Sequence, residues 1–314
     1  MMLKDRVLNI YGKFGPMIGL IVLIIVVSFL SPVFLTTSNL TNLLRQVSVN
    51  ALIAFGMTFV ILLGAIDLSV GSVLAFSSAV MASLVVNDTN YFIALIIAIL
   101  VGAVLGMVNG AVITFGKVAP FIVTLATMTV FRGATFIFTD GVPISGISRG
   151  GNIFQFIGRE SIFGIPFPII MMLIIFFLLF ILLHKTPFGR KVYAVGGNEK
   201  AANIVGVKIA KIKILVFTLS GALAALAGVI ITSRLGSAQP NAGLTYELDA
   251  IAAVVLGGTS LSGGKGRMFG TFIGILIIGV LNNGLNILGV SSFYQEVAKG
   301  AVILVAVLLD RKTG

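Results

Sequence analysis

Four short stretches hold most of the residues able to do chemistry. Residues 257–267 read GGTSLSGGKGR. A phosphate-cradling loop needs Gly five residues before Gly264 and Ser or Thr after Lys265. Thr259 and Gly266 stand there instead. Nucleotide binding is therefore rejected, and the run is expected to be a tight turn with Lys265 and Arg267 as charged anchors. Residues 64–72 read GAIDLSVGS. An acid such as Asp67 between two apolar runs is costly at membrane depth, which by default raises a functional expectation. The structural reading is that Asp67, helped by Ser69, caps the following helix at a membrane-face turn, where a carboxylate satisfies free N–H groups and suits the helix dipole. Residues 246–250, YELDA, bring Glu247 and Asp249 together. Paired carboxylates can do acid–base work, but no His or Cys accompanies them in sequence. A docking contact for an outside partner, or a solvated loop, is the expectation. Asn282, Asn283 and Asn286 interrupt an apolar run, and Asn282 and Asn286, four apart, share a helix face. Such amides either bond neighbouring helices or line a path for a polyol, whose hydroxyls need donors and acceptors alike.

The elements that must position these residues are membrane helices. The chain has 314 residues, is 58% apolar and 10% charged, and has a mean hydropathy of +1.15. Soluble domains are about 45–50% apolar and about 25% charged, so this excess has no place in a water-soluble core. A bilayer removes the conflict at about 20 apolar residues per crossing. About ten spans are read, near 15–32, 48–66, 68–86, 91–116, 119–138, 167–184, 213–232, 249–262, 268–289 and 293–309. They form one membrane domain over residues 1–314, an all-α polytopic fold. The first apolar run is too long for a cleaved leader and lacks a small-x-small site, so it is expected to be retained.

The net charge of +11 would suggest nucleic acid in a soluble chain, but its distribution decides otherwise. With the N-terminus inside, 15 of the 21 basic residues fall in inside segments and Arg45, Arg149, Arg159 and Arg234 outside. That is the positive-inside pattern. It places both termini in the cytoplasm and faces the basic surplus toward anionic membrane lipid, with no role for nucleic acid. The chain has no cysteine, which excludes disulfides and thiolate metal sites. The single His184, where an apolar run ends, reads as an interfacial side chain. Two loops are long: 139–166 outside and 185–212 inside. Within the latter, 197–206 reads GNEKAANIVG. Asn198 is a good N-cap, Glu199 suits the first turn, and Gly206 can end a short surface helix. The chain also hints at duplication. GAVLGMVNG ends at Asn109-Gly110 and GILIIGVLNNG at Asn283-Gly284, on spans of opposite direction. This fits an inverted repeat of spans 2–5 and 7–10 with a pathway at its interface, so Asn109 joins Asp67, Ser69, Asn282, Asn283 and Asn286 as a candidate for the path or its gate.

The loop at 197–206 resembles the coupling segment of ATP-binding-cassette (ABC) importer permeases, with Glu199, Ala201-Ala202 and Gly206 in an E…AA-x3-G arrangement. The resemblance extends over 50–72, 119–133, 186–202, 237–267 and 282–295, and is to bacterial monosaccharide permeases, the ribose importers among them. It implies a homodimer in the bacterial inner membrane. It implies cytoplasmic ATPase partners that carry Mg-ATP, so that this chain itself needs no cofactor and is no enzyme. It implies an extracytoplasmic sugar-binding protein docking outside, and coupling through Asn198, Glu199, Ala201, Ala202 and Gly206. Two rivals stand beside it. An ion-coupled secondary transporter needs buried ionisable groups, for which only Asp67 and Glu296 offer themselves. An intramembrane enzyme has no metal-ligand or nucleophile–base set in the sequence.

Overall fold

The computed structural model describes residues 2–147 and 152–313. The helices are α1 (Met2–Leu30), α2 (Thr37–Leu62), α3 (Val70–Val86), α4 (Tyr91–Gly116), α5 (Pro120–Thr139), α6 (Asn152–Arg159) and α7 (Phe167–Lys185). They continue with α8 (Pro187–Gly197), α9 (Glu199–Ile204), α10 (Ile209–Leu235), α11 (Tyr246–Leu256), α12 (Met268–Ile287) and α13 (Ser292–Thr313). Two-residue strands β1 (Ile144–Ser145) and β4 (Ser237–Ala238) pair antiparallel, as do β2 (Ser161–Ile162) and β3 (Ile165–Pro166). Among the described residues, α2, α4, α5, α7, α10 and α12 are long and apolar enough to cross a membrane, and Gly15–Leu30 and α3 are shorter apolar helices. The chain is an all-α polytopic membrane protein.

Local sequence explains where the helices start and stop. Thr36 caps α2 by accepting from the Asn39 N–H, and Asn90 caps α4 by accepting from the Phe92 N–H at 2.9 Å. Pro120 and Pro187 occupy first-turn positions, where a missing N–H costs nothing. Gly236, at φ +74°, ends α10 in the left-handed conformation that glycine adopts without steric penalty.

Of the span boundaries that differ from the sequence reading, two bear on the site. α2 begins at Thr37, well before residue 48, because its first turns carry Asn39, Asn42, Arg45, Gln46 and Asn50. These polar residues read as loop when hydropathy is the signal. At 249–262 the helix α11 stops at Leu256. Its 11 residues rise about 16 Å, half of a hydrocarbon core of about 30 Å. The GGTSLSGGKGR run follows as the expected turn.

α2 is the hub of the bundle: Ala51 to Leu62 are buried without a break, packed against α7, α10, α11 and α12. α4 and α10 pack antiparallel along a seam of small residues. A methyl group at Gly106 would collide with the Phe217 carbonyl oxygen, and one at Gly110 would lie 2.8 Å from the Ile214 Cα. Close backbone approach of this kind is how helices associate in lipid, where apolar burial gives no net drive. One end of the bundle gathers α8, α9 and the 257–267 turn, with Lys185, Arg190, Lys191, Lys200, Lys265 and Arg267; we call it the basic end. The far end carries α6, the β1–β4 pair and the first turns of α2.

Candidate translocation site and coupling face

The far end holds a polar cleft. Asn39, Asn42, Gln46 and Asn50 follow one another at three- and four-residue steps, which places them on one face of α2. That face meets Asn282, Asn283 and Asn286 of α12. Two adjoining cavities, of about 300 and 260 Å³, share Gln46, Arg234 and Asn286. Asn39 and Asn283 form a reciprocal amide pair: each Nδ2 donates to the other's Oδ1, at 3.0 and 2.9 Å. Asp249 of α11 is 3% exposed and sits at the cleft wall. It is ion-paired to Lys299 of α13 at 3.2 Å and accepts hydrogen bonds from the side-chain amides of Asn50 and Asn282. The carbonyl oxygen of Asn282 has no partner of its own. A carboxamide both donates and accepts, so the cleft presents alternating donors and acceptors at fixed positions.

Asp67, Ser69 and Asn109 form a separate, sealed cluster in the break between α2 and α3. Asp67 is 1% exposed. Its Oδ1 accepts from the Ser69 N–H at 3.0 Å and the Ser69 hydroxyl at 2.7 Å, and its Oδ2 from the Ser220 hydroxyl of α10 at 3.1 Å. Asn109 of α4 donates to the Ser69 Oγ at 2.7 Å, and the Thr124 hydroxyl of α5 donates to the Ile66 carbonyl at 3.0 Å. Three helices, α4, α5 and α10, are thus tied to the α2–α3 break at one point. Asp67 does not sit at a membrane-face turn and lines neither part of the cleft; it is a buried acceptor.

The carboxylate pair is also placed differently from the expectation. Asp249 points into the protein and is spoken for by Lys299. Glu247 is half-buried, with an Oε2 held over Gly71, where a Cβ would come within 2.9 Å. Neither carboxylate offers the free surface that docking of an outside partner needs. The nearby Arg132 of α5 donates to the Pro240 and Ala242 carbonyls at 2.7 and 2.8 Å, which fixes the irregular segment ahead of α11.

At the basic end the short helix forms as its sequence indicates. The Asn198 side chain accepts from the Ala201 N–H at 2.9 Å, and Gly206 turns the chain at φ +84°. Glu199 is held by Lys213 of α10 at 2.8 Å. The two alanines face opposite ways. Ala202 is buried against the bundle, whereas Ala201 is exposed. Beside Ala201, Ile204 and Val205 are 84% and 77% exposed, large apolar groups held out into solvent. α8 is fastened to the 257–267 turn: the Tyr193 hydroxyl donates to the Gly266 carbonyl at 2.7 Å, and Gly196 leaves no room for a side chain against the Leu62 carbonyl. The Gly264 N–H donates to that same Leu62 carbonyl at 2.9 Å. Burial pushes the Tyr193 hydroxyl above its ordinary pKa, so it stays a proton donor over the neutral range.

The amide face of α2 was not anticipated from the sequence. Its signal was the N-x2-N-x3-Q-x3-N spacing at 39–50, a polar stripe with helical period.

The comparisons fit this architecture. The family described as branched-chain amino acid transport system / permease component matches residues 39–307. The ribose import permease protein of Bacillus subtilis is 63% identical over 97% of this chain and 94% of its own length. The ribose import permease protein of Haemophilus influenzae is 55% identical over 95% and 92%. The D-allose transport system permease protein of Escherichia coli is 43% identical over 96% and 92%. No solved structure matches. The chain belongs to the family of transport-system permease components, the membrane-embedded and non-enzymatic subunits of ABC importers.

Proposed function

We propose that this chain translocates a monosaccharide, D-ribose, into the bacterial cytoplasm as the permease of an ABC importer. The observation that carries this reading is the cleft between α2 and α12. Its facing amide rows suit the hydroxyls of a small polyol, and they are far from the all-apolar lining that a branched-chain side chain would select. The same substrate is favoured by the relatives, whose identity falls from 63% to 43% as the sugar in their names changes from ribose to D-allose.

The remaining parts follow from that reading. Two copies of the chain form the transporter in the inner membrane, each with both termini in the cytoplasm and ten crossings related by an inverted repeat. A cytoplasmic ATPase subunit, holding Mg-ATP, docks on the exposed Ala201, Ile204 and Val205. Asn198, Glu199 and Gly206 shape that short helix, and Ala202 seats it. The fastening of α8 to the 257–267 turn, and of that turn to the end of α2, offers a mechanical route from the ATPase to the cleft. A sugar-binding protein delivers sugar at the far end, where Asn39, Asn42, Gln46, Asn282, Asn283 and Asn286 receive it. The Asp67–Ser69–Asn109 cluster holds helices together beside the path. The ion-coupled alternative loses its two carriers, because Asp67 is sealed by three donors and Glu296 is exposed.

The test is reconstitution of the permease in vesicles with its ATPase and binding protein. Labelled ribose is expected to enter only with ATP and loaded binding protein. Entry without ATP, driven by an ion gradient, would sink the proposal.

A further inference from the structure

A second cavity, unrelated to the cleft, opens at the basic end on the outside of the bundle between α1, α7 and α12. It encloses about 710 Å³. Its walls are apolar: Met17 of α1, Phe180 of α7, and Phe269 and Ile273 of α12. Met17 and Phe269 are 46% and 53% exposed, so this wall opens sideways rather than into the protein. At the mouth stand Lys265 and Arg267, both exposed. Among the described residues neither is ion-paired, and none that lines the cavity is a carboxylate. His184 brings no negative charge to them; its Nε2 accepts the Met268 N–H at 3.3 Å and its ring lies tilted against Phe180.

Two uncompensated cations at the polar edge of an apolar wall match a molecule with an anionic head and a hydrocarbon body. We infer that this groove binds an anionic phospholipid, with its phosphate between Lys265 and Arg267 and an acyl chain along Phe180, Phe269 and Ile273. Basic pockets between membrane helices are suited to such head groups. Free phosphate would satisfy the cations and leave the apolar wall open. A zwitterionic lipid would cover the wall and bring its own cation to the mouth. The groove lies beside the turn that fastens α8 to α2, so the bound lipid braces the part of the permease that the ATPase would move.

The chain has no tryptophan, so Phe269→Trp gives a single reporter inside the groove. The full chain carrying it is placed in phosphatidylcholine vesicles with a minor fraction of brominated phosphatidylglycerol, or of brominated phosphatidylcholine. The anionic quencher should be enriched about thirtyfold at the reporter over its bulk fraction, the effect of two cations acting together, and the zwitterionic one not at all. Adding Lys265→Gln and Arg267→Gln should abolish the enrichment and leave the emission maximum unchanged. Equal quenching by both lipids would overturn the inference, as would enrichment that survives the double substitution. Relief of quenching by inorganic phosphate would reassign the cations to a free anion. A reporter that no lipid quenches would overturn the inference too, since the groove would then be closed to lipid.

Discussion

The ion pair between Asp249 and Lys299 makes a quantitative prediction. Asp249 is almost wholly buried, and the Lys299 side chain is 21% exposed. A fully exposed pair contributes about 0–1 kcal/mol, and breaking a buried one costs about 3–5 kcal/mol because a charge is left unpaired. This pair lies between those limits, since the lysine faces a polar cleft. Asp249→Asn keeps the shape and the contacts to Asn50 and Asn282 but strands the ammonium, for a cost of about 2 kcal/mol. That is a roughly thirtyfold loss in the folding equilibrium. Lys299→Met should cost more, about 3 kcal/mol, because the stranded carboxylate is the more deeply buried partner. The double variant removes both charges and should cost clearly less than the two single costs together, by about 2 kcal/mol. Equilibrium unfolding in bicelles, steric or denaturant-driven, measures all four corners of this cycle. Additivity of the single costs within about 0.5 kcal/mol would refute the reasoning. It would mean that Asp249 is stabilised by its amide donors alone.

Other predictions concern the sealed cluster, the helix seam and the coupling face. Asp67→Ala should strand the Ser69 N–H and two hydroxyls and cost about 1–3 kcal/mol for each group left unsatisfied, read as lost thermal stability in detergent. Asp67→Asn should fold and transport, since an amide can keep the Ser69 contacts; a folded but inactive Asp67→Asn variant would restore the proton-relay reading. Gly106→Ala should separate α4 from α10 and cost about 1–3 kcal/mol as overpacking, whereas Gly133→Ala, with open space around it, should be neutral in the same melt. Ile204→Asp should leave the permease folded and weaken capture of the ATPase subunit, whereas Ala202→Asp should unfold the α8–α9 region, visible as faster local proteolysis. The reverse ranking would mean that α9 presents its other face.

Features governed by local rules were legible in the sequence. The N-cap Asn198, the terminator Gly206 and the long apolar helices depend on residues within a few positions, and each formed where its pattern stood. Features governed by partners far along the chain were not. Asp249 reads as a solvated acid until Lys299, fifty residues on, is placed beside it. Ala201 and Ala202 are indistinguishable by composition, and only the packing of α9 decides which turns inward. The amide face of α2 was hidden for a different reason: hydropathy treats Asn39 to Asn50 as loop, because it scores polarity and ignores which side of a helix the polarity is on. Asp67 shows a third case. Its cost at membrane depth was evident, but one of the donors that meet that cost, the Ser220 hydroxyl, comes from α10, far along the chain, rather than from its own turn.

The short α11 has an electrical consequence on the proposed path. It fills about 16 Å of membrane thickness from the basic end, and beyond its first turn the wall gives way to the amide cleft. If water follows those amides inward, it carries bulk potential down to the level of Asp249. The membrane voltage then drops across roughly half the usual distance, so the local field doubles. An uncharged sugar feels no force from it, but a small cation entering the same cleft would. The Arg45, Arg234 and Lys299 side chains stand along that approach. Lys299 is balanced by Asp249, so the positive field at the mouth of the proposed path comes from Arg45 and Arg234, and it opposes the entry of protons and metal cations.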